Sequence, residues 1–126
     1  MLDHVSVPVR NLRTSADAYE KVLDPAGLRR LVDRSGSVGF GRNYPEFWLN
    51  ARPDLTPAPS DTGVHICLRV ADEDAVRAFH TLALRAGWRD AGSPGPRQAA
   101  MTVYYAAFVQ DPDGNKLEAA TFPRKA

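Results

Sequence analysis

Two histidines and one glutamate in this chain have the side-chain types of a metal-binding site. His4 lies in the valine-rich stretch LDHVSVPV, His65 lies in GVHICLRV, and Glu118 lies in KLEAA near the end of the chain. Side chains alternate between the two faces of a strand, so each of the three falls on the face opposite to the apolar residues of its strand. We expect the apolar faces to pack against helices, which leaves the three polar side chains to line a cleft or to face solvent.

Two imidazoles and one carboxylate form the 2-His-1-carboxylate ligand set, which leaves coordination positions open for water or substrate. The three residues are far apart in the sequence, and no local spacing rule connects them. A histidine in a strand is more often half-exposed or hydrogen-bonded than a ligand, and a single glutamate is often a solvated charge at a sheet edge. The residues alone leave both interpretations open.

The elements that would position these residues occur in the same order twice. In the first half, periodicity predicts a strand at residues 2–9, a helix at 15–23 and strands at 28–33, 37–41 and 46–50. His4 and His65 correspond at an offset of 61 residues, as expected for a duplicated unit.

In the second half, a strand at 64–70 precedes a helix at 72–86, a short strand at 88–90 and a loop GSPGP. A strand at 101–110, the turn DPDGN and a strand at 116–121 follow. The turn residues supply a side-chain acceptor, a fixed φ and a glycine, and we expect them to start the last strand in the register that turns Glu118 inward. His80 falls outside the apolar stripe of its helix and is predicted to be a surface residue.

The pattern predicts a single α+β domain over residues 1–126, built from two βαβββ modules. Module one covers residues 1–50, a proline-rich linker covers 51–62, and module two covers 63–126. With 126 residues the chain has the size of one domain.

Composition excludes several classes of partner. The formal net charge is only +1, and no cluster of basic residues is interleaved with aromatics, so we expect no nucleic acid partner. No apolar run approaches the roughly 18 residues of a membrane span, so we expect no membrane partner. The single cysteine, Cys67, cannot form an internal disulfide and favours the reducing cytoplasm.

The stretches LDHVSVPV, GVHICLRV and YYAAFVQDPDGNKLEAA together resemble the glyoxalase/bleomycin-resistance/extradiol-dioxygenase family, also called the vicinal oxygen chelate superfamily. The resemblance implies that the paired βαβββ modules form a cup-shaped mixed sheet around a divalent metal, which could be Zn, Ni, Mn or Fe. It also implies a homodimer. Carried over by residue, the ligands are His4, His65 and Glu118.

The fourth ligand of glyoxalase-like relatives should lie within EFWLN, residues 46–50, and here the sequence departs from the family. Depending on the strand register the position is Trp48 or Leu49, and neither binds a hard cation. Glu46 is the only carboxylate nearby.

The remaining pocket residues follow from parity and from their neighbours. Tyr104 belongs to the more polar set of its strand, so we expect it rather than Tyr105 to face the pocket and donate to an oxyanion. We expect an apolar wall formed by Phe47, Trp48 and Leu49. A nearby loop with Arg42 and Asn43 could hold a substrate carboxylate, and the thiol of Cys67 shares the face of His65.

The resemblance implies a metal-dependent lyase or isomerase whose small oxygenated substrate chelates the ion. A first alternative is an Fe(II)- or Mn(II)-dependent ring-cleaving dioxygenase-like enzyme. A second is a non-catalytic protein that binds a drug or metabolite. No catalytic base beyond the ligands can be named from the sequence.

Overall fold

The computed structural model describes residues 1–56, 59 and 61–123. Residues 57, 58 and 60 of the predicted linker and residues 124–126 of predicted module two lie outside the described residues. Module one contains one α-helix, one short 3-10 helix and four strands, in the order β1 (Val5–Val9), α1 (Leu12–Val22), 3-10 (Asp24–Ala26), β2 (Arg29–Asp33), β3 (Ser37–Gly41) and β4 (Pro45–Ala51). Module two repeats the pattern, in the order β5 (Ile66–Arg69), α2 (Glu73–Arg85), β6 (Arg89–Gln98), β7 (Val103–Gln110) and β8 (Lys116–Thr121). The predicted α+β fold of two βαβββ modules is confirmed.

Each module forms its own mixed four-stranded sheet. The strand orders are β1-β4-β3-β2 and β5-β8-β7-β6, with β1 parallel to β4, β5 parallel to β8, and the other pairs antiparallel. The described strands therefore form two four-stranded mixed sheets, one from each module. The first strand of each module, β1 or β5, lies at a sheet edge.

Side-chain caps fix the starts of both helices. The Asn11 side chain accepts a hydrogen bond from the Thr14 backbone N–H at 3.2 Å, so α1 begins three residues before its predicted start. The Asp72 side chain accepts from the Ala75 N–H at 2.9 Å and caps α2. None of the helices described here is both long and apolar enough to cross a membrane.

The segment GSPGP is part of strand β6, and its prediction as a loop is wrong. The strand pairs with β7, and its register shifts between Asp90 and Gly92 and again between Gly92 and Gly95. A proline is compatible with a strand at a sheet edge, where no ladder hydrogen bond is needed on the outer side. Because β6 is an edge strand, prolines and bulges are accommodated where a central strand would break.

One apolar core joins the two modules. Both sheets turn their apolar faces toward the helices, and the Tyr19 ring contacts Trp88 of module two at a centroid distance of 4.6 Å. Since both sheets contribute to this single core, the opposite face of each sheet points away from it. We call these two surfaces the outward faces of module one and module two.

The turn DPDGN connects module two to module one as well as starting β8. Asp111 accepts a hydrogen bond from the Tyr19 hydroxyl at 2.6 Å, and Asp113 accepts from Nε of Arg10 at 2.8 Å. The Asn115 side-chain amide donates to the Pro8 carbonyl at 2.8 Å. We call these contacts the inter-module clasp. Burial raises the pKa of the Asp111 carboxyl, although the hydrogen bonds from Tyr19 and Asn115 oppose this effect.

The prediction that His80 is a surface residue is wrong. Its exposed fraction is 8%, and Nε2 lies 3.0 Å from Oδ1 of Asp90 at the start of β6. The helical stripe did not reveal this, because a neighbouring strand rather than the main core covers the residue.

Candidate metal centre

His65 and Glu118 lie side by side on the outward face of module two. Strands β5 and β8 pair with Cys67 opposite Glu118, and His65 Nε2 lies 3.0 Å from Glu118 Oε1. The Glu118 side chain is 5% exposed and that of His65 is 41% exposed. A buried carboxylate therefore lies beside a partly exposed imidazole.

The second carboxylate oxygen of Glu118 has no partner. Oε2 is buried and has no hydrogen-bond partner of ordinary geometry among the described residues, although the Cys67 thiol and the Tyr104 hydroxyl lie close enough to Glu118 for hydrogen bonding to contribute to their raised pKa values. Leaving a buried acceptor unsatisfied costs about 1 to 3 kcal/mol, and more for a charged group, so such an atom needs an explanation. An oxygen and an imidazole nitrogen in this arrangement fit the donor set of a divalent cation.

Cys67 and Tyr104 share the outward face with Glu118, as parity predicted. Although Cys67 is an exposed residue, desolvation of its thiol and the negative charge of Glu118 raise its pKa to about 12. Desolvation, followed by the charge of Glu118, also raises the pKa of the Tyr104 hydroxyl. Both groups therefore stay protonated at neutral pH in the metal-free protein.

His4 lies on the outward face of module one, in a shallow cleft of about 400 Å³. Its Nδ1 lies 2.8 Å from Oδ1 of Asp3, whose other oxygen accepts from the Tyr44 hydroxyl at 2.6 Å. A carboxylate on one ring nitrogen orients an imidazole and directs the other nitrogen outward, as at many metal-binding histidines. The cleft also borders Trp48.

The structure does not bring His4 to the other two predicted ligands. Within the described part of the chain, no three His, Cys, Asp or Glu side chains converge to hold a metal ion. His4 and Glu118 belong to the outward faces of different modules, although His4 and Cys67 both border the cleft between the modules. One chain therefore presents two of the predicted ligands together and the third apart from them.

Strand pairing places Trp48, rather than Leu49, at the register position that corresponds to Glu118. Ser6 pairs with Trp48 in module one as Cys67 pairs with Glu118 in module two. Leu49 is fully buried in the core, so its placement as a possible ligand position or pocket wall is corrected.

The other predicted pocket residues lie elsewhere. Phe47 is 1% exposed and packs in the core, since strand alternation turns it away from Trp48. Arg42 donates to the Ala26 carbonyl at 3.3 Å and, like Glu46, borders an inter-module cleft of about 360 Å³ that His4 and Cys67 also line. Asn43 is exposed between β3 and β4.

Two cations and one aromatic ring on the outward face of module two were not predicted as site residues. Lys116 Nζ lies 5.2 Å and Arg97 Cζ 5.9 Å from the centre of the Phe108 ring, which is directly opposite Glu118 in the β7–β8 pairing. Parity alone could have identified Lys116, which is two residues from Glu118. Arg97 was not identified because the segment GSPGP directly before it was predicted to be a loop.

Comparisons with known proteins agree with this architecture. A model of the Glyoxalase/Bleomycin resistance protein/Dioxygenase superfamily matches residues 1–119. A glyoxalase/bleomycin resistance protein from Albidiferax ferrireducens T118 has a similar crystal structure, with a TM-score of 0.83, 26% identity, and coverage of 94% of this chain and 97% of that chain. No curated protein matches the sequence significantly.

Two fosfomycin resistance proteins also have this fold. FosX from Listeria monocytogenes has a TM-score of 0.71 and 14% identity, covering 98% of this chain and 93% of its own. FosX from Mesorhizobium loti has a TM-score of 0.69 and 20% identity, covering 98% and 92%. At these identities the likeness shows the fold.

Proposed function

The chain belongs to the glyoxalase/bleomycin resistance protein/dioxygenase superfamily, and from that membership we propose that it is a metal-dependent enzyme of the lyase or isomerase type acting on a small oxygenated substrate. The observation that carries the proposal is the buried Glu118 carboxylate, which has one oxygen beside His65 and one without a partner. A divalent cation would satisfy both groups at once.

We further propose that a homodimer completes the site, with His65 and Glu118 from one chain and His4 from a second copy. The three predicted ligands do not converge among the described residues of one chain, whereas the outward face of one copy can cover that of another. Both histidines precede edge strands, and apolar residues beside them are exposed, with Leu2 at 82% and Val64 at 72%. Exposed apolar residues next to unpaired strand edges are typical of surfaces that associate.

A bound divalent cation would supply Lewis-acid stabilisation of negative charge on a substrate oxygen. His65, Glu118 and the second copy's histidine would hold it. Tyr104 remains protonated because of its raised pKa, so its hydroxyl can donate a hydrogen bond to a substrate oxygen. The Trp48 ring would supply an apolar wall that excludes water from the opposite side.

The same ligand set supports a second candidate function. Two histidines and one carboxylate with open positions are the ligands of non-haem Fe(II) oxygenases, so a ring-cleaving dioxygenase-like activity is the alternative. Bound Fe together with oxygen uptake on addition of catechols would select it. Bound Zn, Ni or Mn without oxygen uptake would select the lyase or isomerase. Fosfomycin belongs among the compounds tested first, because two structural neighbours are fosfomycin resistance proteins.

Mixed dimers test whether the site is shared between chains. His4→Ala and Glu118→Gln proteins are each expected to lose metal, measured as bound Co²⁺ per chain by elemental analysis and absorption. If the two variants are unfolded and refolded together, half of the dimers contain one chain of each type, and one of their two sites has all three ligands. About a quarter of the sites should then bind metal again.

The outcomes separate the proposals. Recovery of metal in the mixture, with none in either parent, supports the shared site. A metal-loaded His4→Ala protein contradicts the role of His4, and a wild type that binds none of these metals contradicts both enzyme functions and leaves the metabolite-binding function. Trp48→Phe, which alters the same cleft without removing a predicted ligand, is the matched control. A cytoplasmic location is also proposed, supported by the free thiol of Cys67.

A further inference from the structure

We propose that the outward face of module two carries an anion-binding subsite, formed by Arg97 and Lys116 around Phe108, and that the substrate bears a negatively charged oxygen group. Carboxylates, phosphates and phosphonates share this chemistry. The inference rests on the proposed function in one respect only, since it describes the substrate of the same site.

Arg97 and Lys116 are half-buried cations without a carboxylate partner. No acidic side chain among the described residues lies within ion-pair distance of either. Two other arginines that the structure describes are half-buried, and these, Arg10 and Arg30, pair with Asp113 and with Asp17 respectively. Partial burial of a cation without a counter-ion is unfavourable, and an anionic ligand would relieve it.

The backbone of β6 holds the Arg97 guanidinium in place. One terminal nitrogen donates to the Ser93 carbonyl at 2.7 Å and the other to the Pro96 carbonyl at 3.2 Å. A Cβ at Gly92 or at Gly95 would lie 3.3 Å from a terminal nitrogen of Arg97, so both glycines make room for it. A guanidinium fixed in this way loses little conformational entropy when it binds a planar or tetrahedral oxyanion in a bidentate manner.

The two cations lie beside the candidate metal centre. Phe108 is directly opposite Glu118, and its ring centre is 5.5 Å from that of His65. Arg97 and Glu118 act in opposite directions on the pKa of Tyr104, so both lie near this hydroxyl. Arg69, above the Phe122 ring at 4.7 Å, adds a third cation to the face. One small molecule can therefore contact the centre and the cations together.

The experiment measures anion binding without relying on metal. Chelator-treated wild-type protein is titrated calorimetrically with methylphosphonate, inorganic phosphate and acetate, and the titrations are repeated with Arg97→Gln and Lys116→Gln. Each substitution removes a charge-assisted hydrogen bond and is expected to weaken binding of the preferred anion by about tenfold. Arg85→Gln, which removes an exposed charge from the last turn of α2, is the matched control and should leave affinity unchanged.

Arg97→Lys separates charge from geometry, since it keeps the cation and removes the planar fork. It should bind the anion less tightly than wild type and more tightly than Arg97→Gln. A thermal unfolding measurement checks that this variant is folded. Tighter binding of methylphosphonate and phosphate than of acetate assigns a phosphoryl or phosphonyl substrate, and the reverse assigns a carboxylate. A wild type that binds none of the three, or variants that bind like Arg85→Gln, overturns the proposal. Bound Co²⁺ is measured in parallel, so failure of the metal site is recorded separately.

Discussion

The outward faces of the two modules have the same strand pairing but carry different side chains at most corresponding positions. His4 corresponds to His65 and Ser6 to Cys67, but the next strand carries Trp48 in module one and Glu118 in module two. In the third strand of each sheet the large side chain belongs to module two instead. Gly39, which pairs with Trp48, is the counterpart of Phe108, which pairs with Glu118. A Cβ added to Gly39 would lie 3.0 Å from the Trp48 ring.

This difference shows how a duplicated module can divide two tasks. Module two combines a ligand pair with an aromatic floor beneath the cations, whereas module one combines a single oriented histidine with a large apolar side chain. Each face lacks what the other supplies. Two identical modules facing each other would instead have four potential ligands and no wall.

The largest effect is expected from breaking the inter-module clasp, on which the fixed relation between the two faces depends. Asp111→Asn replaces a buried acceptor of several hydrogen bonds, and places an amide N–H₂ against donors. We expect a loss of about 3 kcal/mol in the free energy of unfolding, measured by urea denaturation. Asp54→Asn, at an exposed carboxylate, should cause no measurable change, and an equally stable Asp111→Asn protein would contradict the importance of the clasp.

Tyr19→Phe tests the same clasp through pH. Burial and the charge of Asp111 raise the pKa of Tyr19 well above its ordinary value of 10.0. Because its pKa is raised on folding, the stability that this group contributes is fully present below its pKa in the unfolded state. This stability is lost as pH rises through its pKa in the folded state. The wild type should therefore lose more unfolding free energy than Tyr19→Phe above pH 10.0. Parallel stability curves for the two proteins would show that this hydroxyl does not titrate differently on folding.

An intermediate effect is expected from making the two faces alike. Trp48→Glu places a carboxylate at the register position of Glu118, so it should add a fourth ligand and tighten Co²⁺ binding by about tenfold in absorption titrations. The change removes the ring that packs on Gly39 and lies 5.7 Å from the Arg34 guanidinium, so thermal unfolding must be followed in parallel. Trp48→Gln, which has nearly the same shape without the charge, is the control. Equal metal affinity in both variants and wild type would refute the register equivalence.

The smallest effect is expected at the paired positions Ser6 and Cys67. The Cys67 thiol, with a pKa of about 12, should react slowly with iodoacetamide at mildly alkaline pH. A Ser6→Cys, Cys67→Ser protein moves the thiol beside Trp48, away from the carboxylate, and should react several times faster. Glu118→Gln should also accelerate alkylation of Cys67, though less, because desolvation is the larger cause of the raised pKa. A rate unaffected by Glu118→Gln would show that the carboxylate does not act on the thiol.

Much of the fold could be predicted because periodicity and capping act locally. The strand at 116–121 has its predicted bounds, and α2, which Asp72 caps, begins one residue after its predicted start at residue 72. Parity placed His65, Cys67, Tyr104 and Glu118 on one face, which the structure confirms for these strands. Periodicity failed at GSPGP, because whether a proline-rich segment can be a strand depends on its place at a sheet edge, which is a property of the whole sheet.

The site was harder to predict for the same kind of reason. Parity gives the face of a side chain within its strand, but not where that face points once the modules pack. Only the packed modules show that, among the described residues, His4 does not converge with His65 and Glu118, and only strand pairing decides between Trp48 and Leu49. The contacts of the DPDGN turn with module one could not be predicted either. Its residue types indicate only a local turn, whereas its partners Tyr19, Arg10 and Pro8 lie about a hundred residues away along the chain.

The placement of the two histidines on separate outward faces has a thermodynamic consequence. If ligands come from two chains, metal binding and association are linked equilibria, and each strengthens the other. Dilution of the protein should then release the ion, and chelation should shift the population toward monomers. The concentration of the protein itself would thereby become a variable that sets the occupancy of its own metal centre.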